Sequence, residues 1–542
     1  MTRLLLVALL TACQAFELGR RPRGGGRLFG LGKRPPALGR SRPPLAEAPP
    51  LFATVENYKA HLEAGSADEA GVEAAPPKHA VVVGAGPTGL ATAILLAKRG
   101  WQNVTVYDRL APPPPPGDAE AWGDAERSYN IGINGRGQKA LGMLGAMDRV
   151  ASYAVPVYGR FDWSPEAPDG QERVYNKTYT SRIIQRERLT SALLEECNEV
   201  YADQITVLHE FECAAMERPD AGYGWDLEMR RRGGDEGGED EVREVSADFV
   251  VGADGVKSTV RETLEAKGLL KHRRFPESNT RVYRTIRLNL PSNWRKDLNY
   301  SHRGASGITI DALPTKEGLY IAVVLFRPND PRVDELKTVE DAKKLFQSEF
   351  PQLAEIISDE DYAAFVAKKT MQLPGFSYAG GSLRDGGDAV VLGDAIHTVK
   401  PYFGMGANSA FEDVAVLGRY LDEHGDAVRD LPAALTSFSD DRAGEAKALV
   451  RMSRFLDGGF LTFILPIILD SVCNKFAPWL CAPNTIQMLQ KENLRFTQVA
   501  RRKRMDRALQ AVVGAGLLAV AAKGAYLAAR GLWRMRGAVG LA

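Results

Sequence analysis

The chain has 542 residues, of which 44% are hydrophobic and 25% are charged, and its formal net charge at pH 7 is +1. This length and composition are those of a globular protein with two or more domains, and the small net charge argues against binding nucleic acid. Five widely spaced cysteines indicate neither a disulfide framework nor a metal site.

The first 50 residues have the composition of a targeting leader. Residues 1–15 carry Arg3, an apolar LLLVALL run and small residues before Phe16, which is typical of a short secretory signal. The basic, Gly- and Pro-rich stretch that follows cannot form a core alone. This order resembles the two-part leader of proteins sent to plastids of secondary origin. A mitochondrial outer membrane or endoplasmic reticulum address is the competing interpretation.

From Lys78, the sequence predicts a βαβ unit: HAVVVGAGPTGLATAILLAKRG indicates strand, glycine loop and helix, and NVTVYD indicates a second strand. Gly84 would make the tight turn and Gly86 would admit a pyrophosphate. Gly89 would let the helix pack closely on the strand, and Asp108 would accept ribose hydroxyls. The unit predicts dinucleotide binding.

Two segments follow before a predicted helix that begins near Arg186. Residues 111–123, APPPPPGDAEAWG, predict a stiff surface insertion rather than a fold element. Short alternating strands then carry Arg160 and Tyr175, which on neighbouring strands could face one pocket and hold a carboxylate. Two unrelated surface residues is the alternative.

Two further strands end in an acid and a glycine. DFVVGADG places Asp254 at a turn, with Ser258 as a candidate N-cap for the next helix. Residues 281–373 alternate strands with one helix and predict an antiparallel wall on the substrate side. Residues 388–414 then predict a buried strand, the acidic tip Asp394, a glycine-rich loop and a helix. Such a loop lets backbone amides approach a flavin.

The C-terminal part is predicted to be helical from residue 410 to about residue 463. Residues 460–469 are too short to span a bilayer and contain Pro466, which favours a buried or interfacial helix. Residues 508–529 are long enough to span, and a basic cluster precedes them. They predict a membrane anchor, with an amphipathic surface helix as the alternative.

The motifs GAGPTG with Asp108, VGADG, and LGDA followed by PYFGMGAN resemble, in this order, the single-component FAD-dependent aromatic hydroxylases. The likeness covers residues 78–438. RSYNIGINGRGQKAL, PVYGR and GANSAFEDVAVL resemble the branch of that family that hydroxylates L-kynurenine. The resemblance implies an α/β fold: a Rossmann-like FAD-binding domain with an interleaved antiparallel β-sheet substrate domain, plus a C-terminal helical region with a membrane anchor.

The expected divisions of the chain follow from these elements. They are a leader (1–50), a linker (51–77), three parts of an FAD-binding domain (78–160, 186–280 and 376–440), substrate-domain strands (161–185), a substrate-binding sheet (281–375), C-terminal helices (441–505) and a membrane helix (506–530).

The resemblance also implies residue roles. Arg160 and Tyr175 would grip the substrate carboxylate, and Asn408 would lie between flavin and substrate. His397 would support the site, and no protein acid or base is assigned. The cofactor-binding residues expected from motifs and resemblance together are Gly84, Gly86, Gly89, Asp108, Gly132, Arg186, Asp254, Asp394, Gly404, Gly406, Ala407 and Asn408.

The glycine loop departs from the usual GQGMN of the family. Here it contains Met405 and Ala407, and Lys400 precedes it, so a changed substrate would be sought first at these three positions.

The implied reaction uses FAD as cofactor, NADPH as co-substrate and O₂ to hydroxylate a small aromatic substrate, with L-kynurenine giving 3-hydroxykynurenine. One alternative is a membrane-bound flavin epoxidase or reductase that acts on an isoprenoid or carotenoid lipid. Another is a membrane-anchored flavoprotein that binds or scaffolds without catalysis. An arginine in the pocket facing the flavin would favour an amino-acid substrate, whereas an apolar tunnel would favour a lipid.

Overall fold

The computed structural model describes residues 78–123, 129–175, 178–220, 224–231, 240–276, 281–401, 404–456 and 464–539. The predicted leader and linker, residues 1–77, lie outside the described residues.

The strands in chain order are β1 (His79–Val83), β2 (Asn103–Asp108), β3 (Asn130–Ile133), β4 (Val155–Val157), β5 (Gly159–Ser164), β6 (Ala167–Val174), β7 (Ser181–Gln185), β8 (Ile205–His209), β9 (Glu212–Glu217), β10 (Trp225–Arg231), β11 (Glu241–Ala247), β12 (Phe249–Gly252), β13 (Leu270–Arg274), β14 (Val282–Leu288), β15 (Leu298–Arg303), β16 (Thr309–Pro314), β17 (Tyr320–Leu325), β18 (Met371–Gln372), β19 (Ser377–Gly381), β20 (Arg384–Asp385), β21 (Ala389–Val391) and β22 (His397–Thr398).

The α-helices in chain order are α1 (Pro87–Ala97), α2 (Ala119–Gly123), α3 (Gly135–Leu144), α4 (Met147–Tyr153), α5 (Arg186–Val200), α6 (Thr259–Ala266), α7 (Arg332–Glu335), α8 (Val339–Glu349), α9 (Pro351–Ala354), α10 (Asp359–Ala367), α11 (Gly406–Glu423), α12 (Leu431–Leu456), α13 (Leu465–Phe476), α14 (Thr485–Leu489) and α15 (Phe496–Val539). Two 3₁₀ turns, Gly255–Lys257 and Gly393–Ala395, follow β12 and β21.

A six-stranded sheet, in the order β20-β21-β12-β1-β2-β8, organises one of the two larger parts of the fold, which we call the cofactor half because it contains the glycine loop. Its pairings are parallel except that between β20 and β21. The β-branched runs of β1, β12 and β21 are fully buried, as expected for parallel strands covered on both faces. Helices α1, α3 and α11 pack against one another beside this sheet. The carboxyl ends of β1, β12 and β21 therefore meet at one edge.

A seven-stranded mixed sheet, in the order β18-β14-β17-β16-β15-β5-β6, organises the other large part of the fold, which we call the substrate half. Its only parallel pairing among the described residues joins β5 to β15. One face buries aromatic and aliphatic side chains against α8 and α10, and Trp163, Tyr300 and Phe346 belong to this core. Because strand side chains alternate, the intervening residues form a second, more polar face.

Three smaller sheets complete the described part of the chain, in the orders β11-β10-β9, β13-β19-β22 and β3-β7-β4. The C-terminal helices pack on the second of them. Phe376, Val399 and Met405 share a cluster there with Leu449 of α12 and Phe496 of α15. The glycine-rich loop thus rests directly on the C-terminal region.

Two elements differ in part from the sequence-based expectations. The proline-rich segment lies largely on the surface, as predicted, but its Trp122 is buried and its backbone accepts hydrogen bonds from α5. Ser191 Oγ donates to the Pro114 carbonyl over 2.5 Å, and Arg188 Nε donates to the Pro116 carbonyl over 2.8 Å. The helical stretch expected from residue 410 begins earlier, at Gly406, and is interrupted between α11 and α12.

Candidate active site

The glycine loop between β1 and α1 is shaped by close backbone approach. Gly84 has φ +104°, and a Cβ there would lie 2.5 Å from the Ala253 carbonyl oxygen. A Cβ on Gly89 would lie only 1.8 Å from the Gly84 oxygen. Gly86 differs, because nothing lies within 4 Å of where its Cβ would be. This start of α1 has no side-chain cap and leaves its backbone N–H groups open to an anion.

Asp108 ends β2 beside this loop. Its Oδ2 accepts the Ala85 N–H over 2.7 Å, and its Oδ1 accepts the Leu110 N–H over 2.8 Å. The carboxylate therefore fixes the glycine loop as well as lying where a ribose hydroxyl would reach it. The structure brings together the four residues predicted for this part of the site.

Asp254 lies at the adjacent strand end, after β12. Burial raises the pKa of its carboxyl group, while hydrogen bonds from Ser258 and from the Val260 N–H act in the opposite direction. Its Oδ1 is buried and has no hydrogen-bond partner among the described residues. Ser258 caps α6, because its Oγ accepts the Arg261 N–H over 3.0 Å, as the sequence predicted.

Asp394 forms the tip that follows β21. The side chain is exposed, yet protein surrounds it closely enough for burial to raise the pKa of its carboxyl group, as expected in the wall of a cleft. His397 and Arg186 lower that pKa in turn. Arg186 also acts on the pKa of Tyr129, which burial raises. Arg186 and Asp394, predicted from distant parts of the sequence, thus face the same cleft.

A buried ionic triad, formed by Asp413, His397 and Arg442, holds the turn that carries Asp394. Asp413 Oδ2 accepts the Gly393 N–H over 2.9 Å and lies 2.8 Å from His397 Nε2, and its Oδ1 accepts two bonds from Arg442. Burial opposes the charged form of His397, but Asp413 outweighs it and the pKa of His397 lies above its ordinary value. His397 is therefore a supporting group, enclosed by protein.

The second glycine loop continues into the first turn of α11, which contains Gly406 and Ala407; residues 402–403 lie outside the described residues. Asn408 is 1% exposed. Its amide nitrogen donates to the carbonyls of Gly132 and Gly404, and its Oδ1 accepts the Asn134 N–H. Asn408 was expected between flavin and substrate, but its polar atoms are bonded to backbone. It holds the loop against the end of β3.

Lys400, Met405 and Ala407 were expected to mark a changed substrate. Lys400 and Met405 are buried, and Ala407 lies in the first turn of α11. Lys400 Nζ lies 5.1 Å from the ring centre of Phe376, and Met405 packs in the cluster that contains Phe376 and Phe496. Met405 therefore packs the loop against the C-terminal helices, whereas Lys400 lies over Phe376 of the same cluster.

Arg160 lies on the polar face of the seven-stranded sheet. It pairs with Arg173 across β5 and β6, and the Tyr175 N–H donates to the Tyr158 carbonyl over 2.8 Å. Arg160 and Tyr175 are therefore diagonal neighbours on one face. Burial raises the pKa of the Tyr175 phenol, and the Arg160 charge lowers it. The predicted pair is brought together.

Two carboxylates that the sequence reasoning missed surround the Arg160 guanidinium. Arg160 Nε donates to Asp162 Oδ1 over 2.5 Å, Nη2 donates to Ser301 Oγ over 2.8 Å, and Asp311 Oδ1 lies 3.8 Å from Nη2. Burial opposes the charge, but the two carboxylates raise the pKa of Arg160. These side chains line an open cavity of about 350 Å³.

Tyr179 lies near both Tyr175 on this polar face and Gly135 at the start of α3. Burial raises the pKa of its phenol, and the nearby Glu492 and Tyr175 add to that rise, whereas the Gly135 N–H lowers it. A Cβ on Gly135 would lie 2.1 Å from Glu492 Oε2 and 2.8 Å from the Tyr179 ring. A segment just before α15 therefore closes against the start of α3.

A family model described as an FAD binding domain matches residues 78–453 of this chain. The chain belongs to the FAD-dependent aromatic hydroxylases. Two relatives named kynurenine 3-monooxygenase support the placement. The protein from Xanthomonas campestris pv. campestris is 29% identical over 393 residues, which cover 70% of this chain and 78% of the relative. The one from Xanthomonas axonopodis pv. citri is 30% identical over 386 residues, covering 69% and 77%.

The fold of this hydroxylase also occurs in solved structures. The tetrameric form of 2-methyl-3-hydroxypyridine-5-carboxylic acid oxygenase aligns with a TM-score of 0.53 and 20% identity, and the alignment covers 71% of this chain and 94% of the other. At that identity the likeness establishes the FAD-binding monooxygenase fold.

The residues of the hydroxylase fit an FAD. The open helix start at Gly86 suits a pyrophosphate, and Asp108 lies beside it for a ribose. Asp394 and Arg186 expose polar groups to the cleft, and Asp254 Oδ1 has no partner among the described residues. When bound there, FAD supplies the electron transfer and oxygen activation of the reaction.

Several groups of the hydroxylase's site were not predicted from the sequence. Asp162 carried a usable signal, because a residue two positions after Arg160 on a strand shares its face. Asp311, Tyr129 and Arg442 carried none, since they come from elements far away in the chain. Among the described residues, no cluster of His, Cys, Asp and Glu could hold a metal ion.

Proposed function

We propose that this hydroxylase converts L-kynurenine to 3-hydroxykynurenine, using NADPH as reductant and O₂ as the oxygen source. The observation that carries the proposal is the pairing of Arg160 and Tyr175 on one face of the substrate-side sheet. A guanidinium and a phenol together suit an amino-acid carboxylate. The names of the two Xanthomonas relatives point to the same substrate.

The charge balance around Arg160 favours a zwitterion over a simple aromatic acid. A carboxylate that approaches Arg160 also approaches Asp162 and Asp311, which repel it. A substrate with an α-ammonium group beside its carboxylate offers those two acids a partner. The amino-acid head group of kynurenine has this pair of charges.

The protein's part in the reaction is binding, orientation and exclusion of water. Asn408 fixes the glycine loop, and Asp394 with Arg186 provides polar contacts in the cleft. The amino group on the substrate ring activates the neighbouring carbon, so the proposal requires no protein base. This agrees with the enclosed position of His397, which faces Asp413.

We also propose that α15 anchors the protein in a membrane. Phe496–Gly531 has a stretch with a mean hydropathy of 1.7, none of which is buried in the protein. The 22 residues from 508 to 529 would extend about 33 Å as a helix, enough for the hydrocarbon core of a bilayer. In the basic cluster that precedes it, Arg501 and Arg504 are exposed and suit the headgroup region. The cluster also contains Arg502, Lys503 and Arg507.

The substrate is tested with the purified full-length protein loaded with FAD. NADPH oxidation is followed with and without L-kynurenine, and 3-hydroxykynurenine is sought by mass spectrometry. We expect faster oxidation and product formation on addition of L-kynurenine. NADH in place of NADPH tests the choice of reductant. Unstimulated oxidation without product would overturn the substrate assignment.

A second candidate is a flavin epoxidase or reductase of a membrane lipid, which the exposed apolar helix favours. The polar groups around Arg160 weigh against it, because an isoprenoid chain would leave them without partners. The same assay with a carotenoid or isoprenoid in place of kynurenine separates the two candidates.

For the compartment, we propose an organelle membrane, with a plastid of secondary origin as the first choice and a mitochondrial or endoplasmic reticulum address as alternatives. The proposal rests on the composition of residues 1–50 alone. Fusing residues 1–77 to a fluorescent protein and following its location would distinguish them.

A further inference from the structure

Helix α13 exposes an apolar stripe. Ile464, Ile468, Val472 and Phe476 recur at intervals of four residues, which places them along one side of the helix, and all four are exposed. The stripe continues into the next turn, where Trp479 is 82% exposed. A surface helix of a water-soluble protein normally turns its apolar side inward. Here the apolar side faces outward.

The opposite side of α13 carries the charge. Asp470 is 1% exposed, and its carboxylate lies 3.0 Å from Lys503 Nζ and 2.9 Å from Arg507 Nη2 of α15. Asp506 completes the network, 3.0 Å from Lys503. These ion pairs, which we call the Asp470 clamp, fasten α13 to the long helix. The polar side of α13 thus faces protein, the reverse of the usual arrangement.

The position of the clamp indicates what covers the apolar stripe. Arg507 immediately precedes the apolar stretch that begins at residue 508. At about 1.5 Å per residue, the clamp lies within roughly one helical turn of the start of the proposed span. The part of α13 that carries Asp470 therefore lies at the level where the proposed span begins. Arg501 and Arg504 are exposed on the same part of α15 and suit anionic headgroups.

We propose that α13 and Trp479 form a second membrane contact, in which the apolar stripe lies in the headgroup region of the lipid bilayer and the Asp470 clamp sets the orientation of the catalytic unit. This inference rests on the proposed membrane anchor. It assigns the stripe to lipid, of the kind that in-plane amphipathic helices bind. Ile467 of α13 packs against the cluster that holds Met405, so the docked helix also supports the glycine loop.

The test uses the full-length protein in vesicles of phosphatidylcholine with a minor share of phosphatidylserine. Tryptophan fluorescence is compared between ordinary lipids and lipids brominated near the headgroup. We expect bromination to quench a component of the emission that Trp479→Phe removes. Leu110→Trp, introduced in the Trp479→Phe protein, places a similarly exposed tryptophan far from α13 in the sequence. It should show no quenching.

Ser471, which is exposed on α13, allows a second test that leaves the core and the clamp untouched. Ser471→Glu brings a carboxylate towards the headgroups and should reduce the quenching of Trp479 several-fold. Ser471→Gln, of matched size but neutral, should retain most of it. Asp470→Asn should also reduce the quenching, because the clamp weakens.

The outcomes separate this inference from the anchor itself. Trp533, just beyond the end of the proposed span, reports the anchor: its quenching is the difference in quenching between the parent and Trp533→Phe. Quenching of Trp533 without quenching of Trp479 would overturn the inference and leave the anchor intact. Loss of both signals, with protein that no longer floats with vesicles, would overturn the anchor. If Trp479 is not quenched and two chains can be cross-linked through α13, then a second copy of the chain covers the stripe. This result would also overturn the inference.

Discussion

The cofactor edge of the six-stranded sheet and the polar face of the seven-stranded sheet are built by different means. At the cofactor edge, glycines and backbone N–H groups make the site, and acids end the strands that meet there. On the polar face, charged side chains from β5 and β16 and a serine from β15 meet around Arg160. The first site depends on close approach of backbone, and the second on charge balance.

This difference has a consequence for mutation. A methyl group added at Gly84 or Gly89 meets a backbone oxygen, so the fold itself resists the change, whereas one added at Gly86 meets no protein atom and would obstruct only the cofactor. A charge removed from the polar face leaves the backbone pairing intact, because that pairing comes from β-strand hydrogen bonds. We therefore expect edge variants to lose FAD or the fold, and face variants to lose substrate affinity.

The largest expected effect is that of Gly89→Ala. Its methyl group would lie 1.8 Å from the Gly84 oxygen, so we expect little folded protein and no bound FAD. Gly86→Ala is the matched control, because nothing lies within 4 Å of its Cβ. It should fold, yet bind FAD at least roughly tenfold more weakly, since the methyl group blocks the pyrophosphate. Thermal unfolding and flavin absorbance measure both, and a stable Gly89→Ala holoprotein would contradict this.

The polar face is tested by Arg160→Met. Losing charged hydrogen bonds to the substrate should raise the KM for L-kynurenine roughly tenfold to a hundredfold, with FAD content unchanged. Arg295→Met is the control. Arg295 is a similarly exposed arginine of the substrate half, and it pairs with Asp297. Steady-state kinetics and flavin absorbance provide the comparison. An unchanged KM in Arg160→Met would remove its assigned role.

The ionic triad under the edge predicts a pH dependence. The pKa of His397 is raised in the folded protein by Asp413, with Asp394 adding and Arg442 opposing. The resulting stability is fully present below the unfolded pKa of about 6.5 and is lost as pH rises through the higher folded value. The stability difference between the parent and His397→Gln should therefore be largest near pH 6 and shrink as the pH rises above this. Thermal unfolding across this range measures it, and a difference that grows with pH would contradict the assignment.

The smallest expected effects concern two helix N-caps, one at the cofactor edge and one behind the polar face. Ser258 caps α6 at the cofactor edge, and Thr338 caps α8 behind the polar face. Each change to Ala should cost about 1 kcal/mol of unfolding free energy. Ser258→Ala should cost more, because the Ser258 hydroxyl is fully buried and hydrogen-bonds Asp254, whereas the bond from Thr338 to Asp341 is exposed. Urea unfolding midpoints provide the measurement, and a larger loss for Thr338→Ala would show that Asp254 gains little from Ser258.

The cofactor edge was predictable because its determinants are local in sequence. The Gly84, Gly86 and Gly89 spacing lies within one strand-loop-helix unit, and Asp108 and Asp394 each end a recognisable strand. What could not be predicted is the bonding of Asn408, because its partners lie on β3 and its geometry is set by the packing of α3 against α11.

The polar face and the C-terminal region were less predictable for the same physical reason. Asp311 reaches Arg160 only through the register of β16 on β15 and of β15 on β5. The burial of Trp122 depends on hydrogen bonds to α5, and the outward apolar stripe of α13 depends on Asp470 finding Lys503. None of these pairings has a fixed spacing in the chain.

The contacts of Arg136 decide where a shortened, more easily purified version of the enzyme can end. Arg136 donates to the carbonyls of Lys491 and Leu494, and Glu445 accepts the Phe496 N–H over 2.6 Å. A chain that stops before Lys491 leaves the buried Glu445 carboxylate without the Phe496 N–H and leaves Nη2 of the buried Arg136 without its two carbonyl acceptors, although Arg136 keeps its pairing with Glu412, at about 1–3 kcal/mol or more each. Ending it just after Arg507 removes most of the apolar helix and keeps these bonds, so that boundary is the one to use for crystallisation.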